Sequence, residues 1–382
     1  MRAKTLCFDI FTEHFSDIQD PRQSAKVAYP LFDILFASLC AVLGGADGWS
    51  EIQEYIEGHH EWFLEHNMFK EGIPVDDTIA RLLSRINPEQ FNLCFINWMR
   101  SVHQVTQGEL VAIDGKVLRG AYAPGERSSA LHLVSAYATA NKMVIGQVKT
   151  QKKSNEITAI PELIKLLELK GALISIDAMG CQTQIAQEII DAGADYLLSV
   201  KDNQKRLHRA IQKAILEAQR VLPLTTEKTR IERGHGRLEI RESHVLNAET
   251  FKTDFPEWEG LKTLGVTVGY RQENGKLPSL EYRYYISSAR LTEEQFSQAV
   301  RSHWQIENNL HWVLDVTFKE DNCQIYRENA AENIAILRRI SLNMLKKETS
   351  QLSIKAKRRR IWMKTQFLER VLQAGFANVS DI

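Results

Sequence analysis

The stretch Arg301–Asp321, RSHWQIENNLHWVLDVTFKED, crowds carboxylates, imidazoles and indoles into one segment with a helical pattern. Its centre, His303–Asp315, holds no Gly or Pro, and at 3.6 residues per turn Glu307, Leu310, His311 and Leu314 share one face. His303 lies one turn before that group and Asp315 one turn after it. A carboxylate between imidazoles on a leucine-bearing face is costly to bury without a counter-charge or a ligand. Two chemistries suit it. His303, Glu307 and His311 have a spacing open to zinc, which takes nitrogen and oxygen donors in a tetrahedron. Alternatively, Glu307 is the last of three carboxylates around a hard cation, with Asp315, Glu320 and Asp321 as rivals for that place or as its supports. A structural role for both histidines, each bonded to nearby backbone, fits the same pattern.

The carboxylate reading needs two further acids, and the middle of the chain offers them. Leu110–Ile113 reads as a short apolar strand that ends at Asp114, and Ala172–Ile176 as another that ends at Asp177. Between them come strands over Leu131–Ala138 and Met143–Lys149, joined by a hairpin turn, and a helix over Pro161–Leu169. A helix over Thr183–Ala192 and a strand over Tyr196–Val200 follow. Three tightly joined strands and then alternating helices and strands match a ribonuclease-H-like α/β architecture, with a mixed sheet and flanking helices. In such a sheet the ends of the first and fourth strands can lie side by side. Each Asp alone reads as a turn or cap residue. Together with Glu307 they make a self-repelling cluster that a cation would neutralise, and hard oxygen donors favour Mg²⁺ or Mn²⁺. Two such ions can activate a water or a 3′-hydroxyl and stabilise the leaving oxygen of a phosphodiester.

Cationic and polar groups near these positions suit a DNA backbone. Lys116 and Arg119 follow Asp114, while Lys201 and Asn203 follow the Tyr196–Val200 strand and are expected at the same end of the sheet. Gly234-His235-Gly236-Arg237 reads either as a hairpin tip or as a loop that brings His235 and Arg237 to a phosphate. Lys355–Lys364, including Lys357, Arg358, Arg359 and Arg360, reads as a phosphate-contacting run or a solvated helix end. Trp304 and Trp312 read as core residues or as stacking platforms for a base.

The elements divide the chain into three parts. Residues 1–105 form a helical domain, a candidate for binding DNA. Residues 106–347 form the catalytic unit, with a β-rich insertion at about 205–291 before the last acidic helix. Residues 348–382 form a basic tail. The 382 residues are 44% apolar, with 48 basic against 48 acidic side chains, so bulk charge points to no partner. Five scattered cysteines without a CxxC pair suit a reducing compartment. The N-terminus lacks the pattern of a signal peptide, and the apolar run Tyr29–Ala46 is shorter than a bilayer span. A soluble cytoplasmic protein without a membrane partner is expected.

At Asp114, Asp177 and Glu307 the chain resembles bacterial insertion-sequence transposases of the DDE type, the H-repeat-associated proteins. The likeness runs nearly end to end. It is carried by AIDGKVLRG at Ala112–Gly120, LHLVSAYA at Leu131–Ala138, ISIDAMG at Ile174–Gly180 and YLLSVKDNQ at Tyr196–Gln204. HGRLEIRE at His235–Glu242 and SHWQIENNLHWVLDVTFKED at Ser302–Asp321 extend it. The resemblance implies that Asp114, Asp177 and Glu307 are the catalytic, Mg²⁺-binding triad, with Mn²⁺ able to substitute. It implies cleavage at transposon terminal repeats and joining of the freed 3′-hydroxyl to target DNA, by a homodimer on double-stranded DNA. Alternatives of other kinds are a stand-alone metal-dependent nuclease and a transposase-derived DNA-binding protein without turnover. Related transposases often carry Tyr, Arg and Lys at fixed distances around the last Glu, where this chain has Val300, His303 and Leu314. Arg301 and His303 are the candidates to take the arginine's place on DNA.

Overall fold

The computed structural model describes residues 2–122, 130–150, 156–221, 230–234, 237–273 and 275–377. The chain opens with helices α1 (Arg2–Phe15), α2 (Leu31–Gly44), α3 (Trp49–Gly58), α4 (His60–Glu65), α5 (Asp76–Arg85) and α6 (Pro88–Val102). The start of α6 is set locally: Asn87 caps it, its Oδ1 accepting from the amides of Glu89 and Gln90, and Pro88 fills the first helical position. Helix α2 is buried along almost its whole length, as its apolar sequence, broken only by Asp33 and Ser38, requires. Among the described residues no single helix is long and apolar enough to cross a membrane; α2 and α3 together pass on length and composition, but they meet at a 95° bend.

Strands β1 (Leu110–Val117), β2 (His132–Ala138) and β3 (Met143–Lys149) form an antiparallel meander. Helix α7 (Glu156–Leu166), β4 (Leu173–Ile176), α8 (Thr183–Asp191), β5 (Asp195–Val200) and α9 (Lys205–Val221) follow. Then come β6 (Arg230–Gly234), β7 (Arg237–Asn247), α10 (Phe251–Asp254), β8 (Thr263–Glu273) and β9 (Ser279–Ser287). Among the described residues, the strands join one nine-stranded sheet in the order β3-β2-β1-β4-β5-β9-β8-β7-β6. β1, β4 and β5 are parallel, and the first five strands have the ribonuclease-H-like order. The fold is therefore the mixed α/β class that the element order predicts. The β-rich segment is no separate appendage: β9 pairs antiparallel with β5, from Leu197↔Ser287 to Val200↔Tyr284, and carries the sheet outward.

The last third is α11 (Glu293–His303), a wide π-type turn over Glu307–His311, α12 (Trp312–Thr317), α13 (Ala330–Lys347), α14 (Ile354–Met363) and α15 (Thr365–Phe376). Helix α13 lies at the centre of the helical layer, packed on α2, α5, α6 and α15. Residues 348–377 are not a loose basic tail, because α14 packs on α2 and α15 on α1 and α13. Ile361, Phe367, Leu368, Val371, Leu372 and Phe376 are buried there, each stabilising the layer by roughly 1.5–3 kcal/mol. Trp304 and Trp312, by contrast, stand in solvent rather than in the core.

Candidate active site

In β1 successive side chains alternate, so Asp114 and Lys116 point to one side of the sheet. Pairing with β4 ends at Ile113↔Ile176, whereas pairing with β2 continues to Val117↔His132. Asp114 therefore lies within its strand, at the point where β1 outruns β4, and not at a strand end. Asp177 is the first residue past β4, one step on from the last parallel pair. Its Oδ1 accepts from the amides of Met179 (2.9 Å) and Gly180 (3.4 Å), which fixes the turn that follows.

Glu307 opens the π-type turn. A wide turn of this kind loosens the regular helical ladder and often marks a functional site. Here Lys346 of α13 supports it, its Nζ donating to Asn309 O at 2.8 Å, to Lys142 O at 2.8 Å and to Tyr137 Oη at 3.3 Å. One ligand atom each from Asp114, Glu307 and His311 lies within 4.8 Å of the other two. His311 Nδ1 is 3.5 Å from Asp114 Oδ2, and its buried Nε2 has no hydrogen-bond partner. His303 lines the same cleft but stands outside that group, with Nδ1 2.8 Å from Ser175 Oγ. The spacing open to zinc through both histidines is thus not assembled: Asp114 stands where His303 would be needed.

Burial, followed by the charge of Glu307, pushes the Asp114 carboxyl up to about 7, with Asp177 and Glu156 adding to the repulsion. Burial, reinforced by the positive charges of Arg339 and Lys116, brings the His311 imidazole down to about 4. It is therefore neutral at pH 7, with a nitrogen lone pair available. Crowded carboxylates beside a neutral imidazole make a donor set suited to a divalent cation. Asp177 lies outside the tightest group but lines the same cleft, of about 220 Å³, with Lys201, Glu281 and Arg283.

The remaining candidates divide by burial. Lys201 is exposed at the cleft, while the Asn203 amide donates to Ala178 O at 2.6 Å and braces the turn after Asp177. Arg119 is exposed, with Nε 3.6 Å from Asp321 Oδ2. Arg237 pairs with Glu239 at 3.0 Å and Arg301 with Glu232 at 3.1 Å, both near the surface. His235 lies outside the described residues. Lys116 is not a DNA contact: it is buried, and its ammonium faces Asp315, Asp321 and Glu320.

Lys357 and Arg358 are likewise removed from any DNA surface. Lys357 Nζ donates to Leu345 O at 2.8 Å and pairs with Glu348 at 3.1 Å. Arg358 donates to Val42 O at 3.1 Å and to Thr317 O, and lies 4.1 Å from the Phe318 ring centre. Helical spacing explains this, since these two share the inward face with Ile361, whereas Arg359 and Arg360 point outward. Glu281 and Arg283 of β9, absent from the sequence candidates, line the cleft, and Arg283 lies over the Trp304 ring at 5.1 Å. Their alternation with Tyr285 along one strand face was the available signal.

A sheet of this order, with acids gathered where β1 outruns β4, is the ribonuclease-H-like arrangement. A family profile described as "Transposase DDE domain" matches residues 106–344, and one described as "DDE_Tnp_1-associated" matches residues 12–99. The chain belongs to the DDE transposase family. Over 365 residues it is 45% identical to the "H repeat-associated putative transposase YhhI" of Escherichia coli K12, covering 94% of this chain and 97% of that one. The "Putative transposase YncI" of E. coli O157:H7 is 45% identical over 368 residues, covering 94% and 93%. Among solved structures, piggyBac transposase in a synaptic complex with hairpin DNA matches with TM-score 0.45 and 11% identity, over 96% of this chain and 80% of that one.

Proposed function

We propose that this chain is an active DDE transposase that cleaves DNA at the ends of an insertion sequence and joins the freed 3′-ends to target DNA. The observation that carries the reading is the convergence of Asp114 and Glu307 beside Asp177, where β1 outruns β4. In this reading Asp114, Asp177 and Glu307 hold Mg²⁺, with Mn²⁺ able to substitute, and His311 adjoins them. Bound divalent ions lower the pKa of an attacking water or 3′-hydroxyl and offset charge at the phosphodiester. Lys201 and Arg283 flank the cleft and hold a backbone phosphate there. Ser175 orients His303 beside Asp177. Arg119, Arg237, Arg301, Arg359 and Arg360 supply exposed cations for the flanking duplex. Two copies act together on the two terminal repeats, in the cytoplasm and on the nucleoid.

The test is a two-stage assay with the gene's own flanking ends and Mg²⁺. Wild-type protein should nick the ends and, given pre-cut ends, yield joined product. Asp114→Asn, Asp177→Asn and Glu307→Gln should each lose at least about 100-fold in cleavage while melting cooperatively. Cleavage without joining would make the chain a nuclease. End binding without turnover would make it a DNA-binding derivative.

A further inference from the structure

Lys116 lies two residues beyond Asp114 on the same face of β1, and Asp315 lies four residues beyond His311 on the same face of its helix. Two strand residues advance about 6.6 Å and four helical residues about 6 Å. The steps match closely enough for strand and helix to meet at two successive rungs. The first rung is Asp114 against Glu307 and His311. The second is Lys116 against Asp315, with Asp321 Oδ1 at 3.3 Å and Glu320 Oε2 at 3.8 Å from the same nitrogen.

The second rung runs from the interior, at Lys116 and Glu320, to a half-buried edge at Asp315 and Asp321. Lys116 is 8% exposed and Glu320 fully buried, and the other Glu320 oxygen accepts from Arg339 Nη1 at 2.8 Å. Bringing Glu320 and Asp321 to Lys116 requires a sharp reversal after α12. Lys319 makes it at φ 49°, a left-handed conformation unusual for a side-chain-bearing residue. The continuation of β1 docks on the same loop: a Cβ at Gly120 would meet Cys323 O at 2.6 Å and Asp321 O at 2.7 Å. Strand and helix thus touch the 320–323 segment from both sides.

We propose that Lys116 is a positioning residue whose pairing with Asp315, Glu320 and Asp321 fixes the register of the Glu307 helix on β1. It thereby sets how Asp114 and Glu307 face one another. The inference rests on those two acids binding the divalent cation. An ion cluster that served stability alone would be interchangeable with any arrangement restoring the melting temperature. A register device would not be.

The experiment compares wild type, Lys116→Met, Lys116→Arg, the double variant Lys116→Met/Asp315→Asn, and Asp114→Asn. It reads hydrogen exchange of the metal-free proteins, melting temperature, and Mn²⁺ affinity by calorimetry. Lys116→Met should speed exchange at residues 307–317 while leaving α13 protected, and weaken Mn²⁺ at least about 10-fold. The double variant removes the charge of Asp315, whereas Glu320 keeps Arg339 and Asp321 keeps Arg119, and should regain melting temperature without regaining Mn²⁺ affinity. Lys116→Arg should regain part of both, and with the double variant it carries the test should Lys116→Met fail to fold. Wild-type Mn²⁺ affinity in Lys116→Met, or its return with melting temperature in the double variant, would overturn the proposal. Wild-type protein without saturable Mn²⁺ binding, or Asp114→Asn binding as wild type does, would overturn the cation-site reading instead. The register claim then stands or falls on exchange at 307–317.

Discussion

Asp114 links the site to pH. Its carboxyl is pushed up to about 7 by burial first and by Glu307 next, whereas an unfolded aspartate titrates near about 3.9. The folded state therefore binds the proton more tightly than the unfolded state does. The stabilisation this gives is fully present below about pH 4 and is lost as pH rises towards 7. Each pH unit of that gap corresponds to about 1.4 kcal/mol, so the ionised site costs on the order of 2–4 kcal/mol at pH 8. Asp114→Asn removes the charge, and metal-free Asp114→Asn should melt above wild type at pH 8 and level with it near pH 4. Adding Mg²⁺ at pH 8 should raise the wild-type melting temperature and leave the variant's unchanged. Equal melting of the two metal-free proteins at pH 8 would count against a strained, ionised Asp114.

At the scale of elements, the geometry of Glu307 depends on a turn that departs from regular helix, and Lys346 donates to a carbonyl within it. Lys346→Met would remove the donor to Asn309 O, Lys142 O and Tyr137 Oη. The expected loss is roughly 1–3 kcal/mol, read as a lower urea midpoint with an unchanged slope; an unaltered midpoint would mean that water replaces the ammonium. The strands and the apolar helices of this chain are legible from local pattern, because Leu110–Ile113, Ala172–Ile176 and Tyr196–Val200 are short buried runs of the kind a parallel sheet needs. What was not legible is set by partners far away in sequence. Asp114 lies mid-strand because β2 goes on pairing after β4 has stopped. The wide turn at Glu307–His311 contains no Gly or Pro to announce it. The pairing of Lys116 with acids some 200 positions later, |i−j| = 199 for Asp315, leaves no trace in its own neighbourhood.

Across the whole molecule, the N-terminal and C-terminal helices build one helical layer, and that layer holds the helix that follows Glu307. Arg358 shows how: a single guanidinium reaches Val42 O on α2, Thr317 O at the end of α12 and, at 3.4 Å, Asp47. The α14 sequence reads as a charged run because Lys357 and Arg358 face the core with Ile361, while Arg359 and Arg360 face solvent. Removing residues past 347 would strip Phe367, Leu368 and Leu372 from the core as well as the cations, so truncation cannot isolate a DNA contact. Point substitutions can. Arg358→Ala removes a donor from the Val42 and Thr317 carbonyls and from Asp47, which keeps Lys319 at 2.9 Å, and should cost roughly 1–3 kcal/mol, seen as a lower melting temperature. Arg359→Gln/Arg360→Gln should melt as wild type, because both side chains are exposed. If both arginines neutralise phosphates, the slope of log affinity for terminal-repeat DNA against log salt should shrink by about 0.9 for each phosphate left without its cation. A slope unchanged in the double variant would move the DNA path off this face and back to the cations of the cleft, Lys201 and Arg283. Their replacement by Gln and Met should then flatten the slope while leaving the helical layer intact.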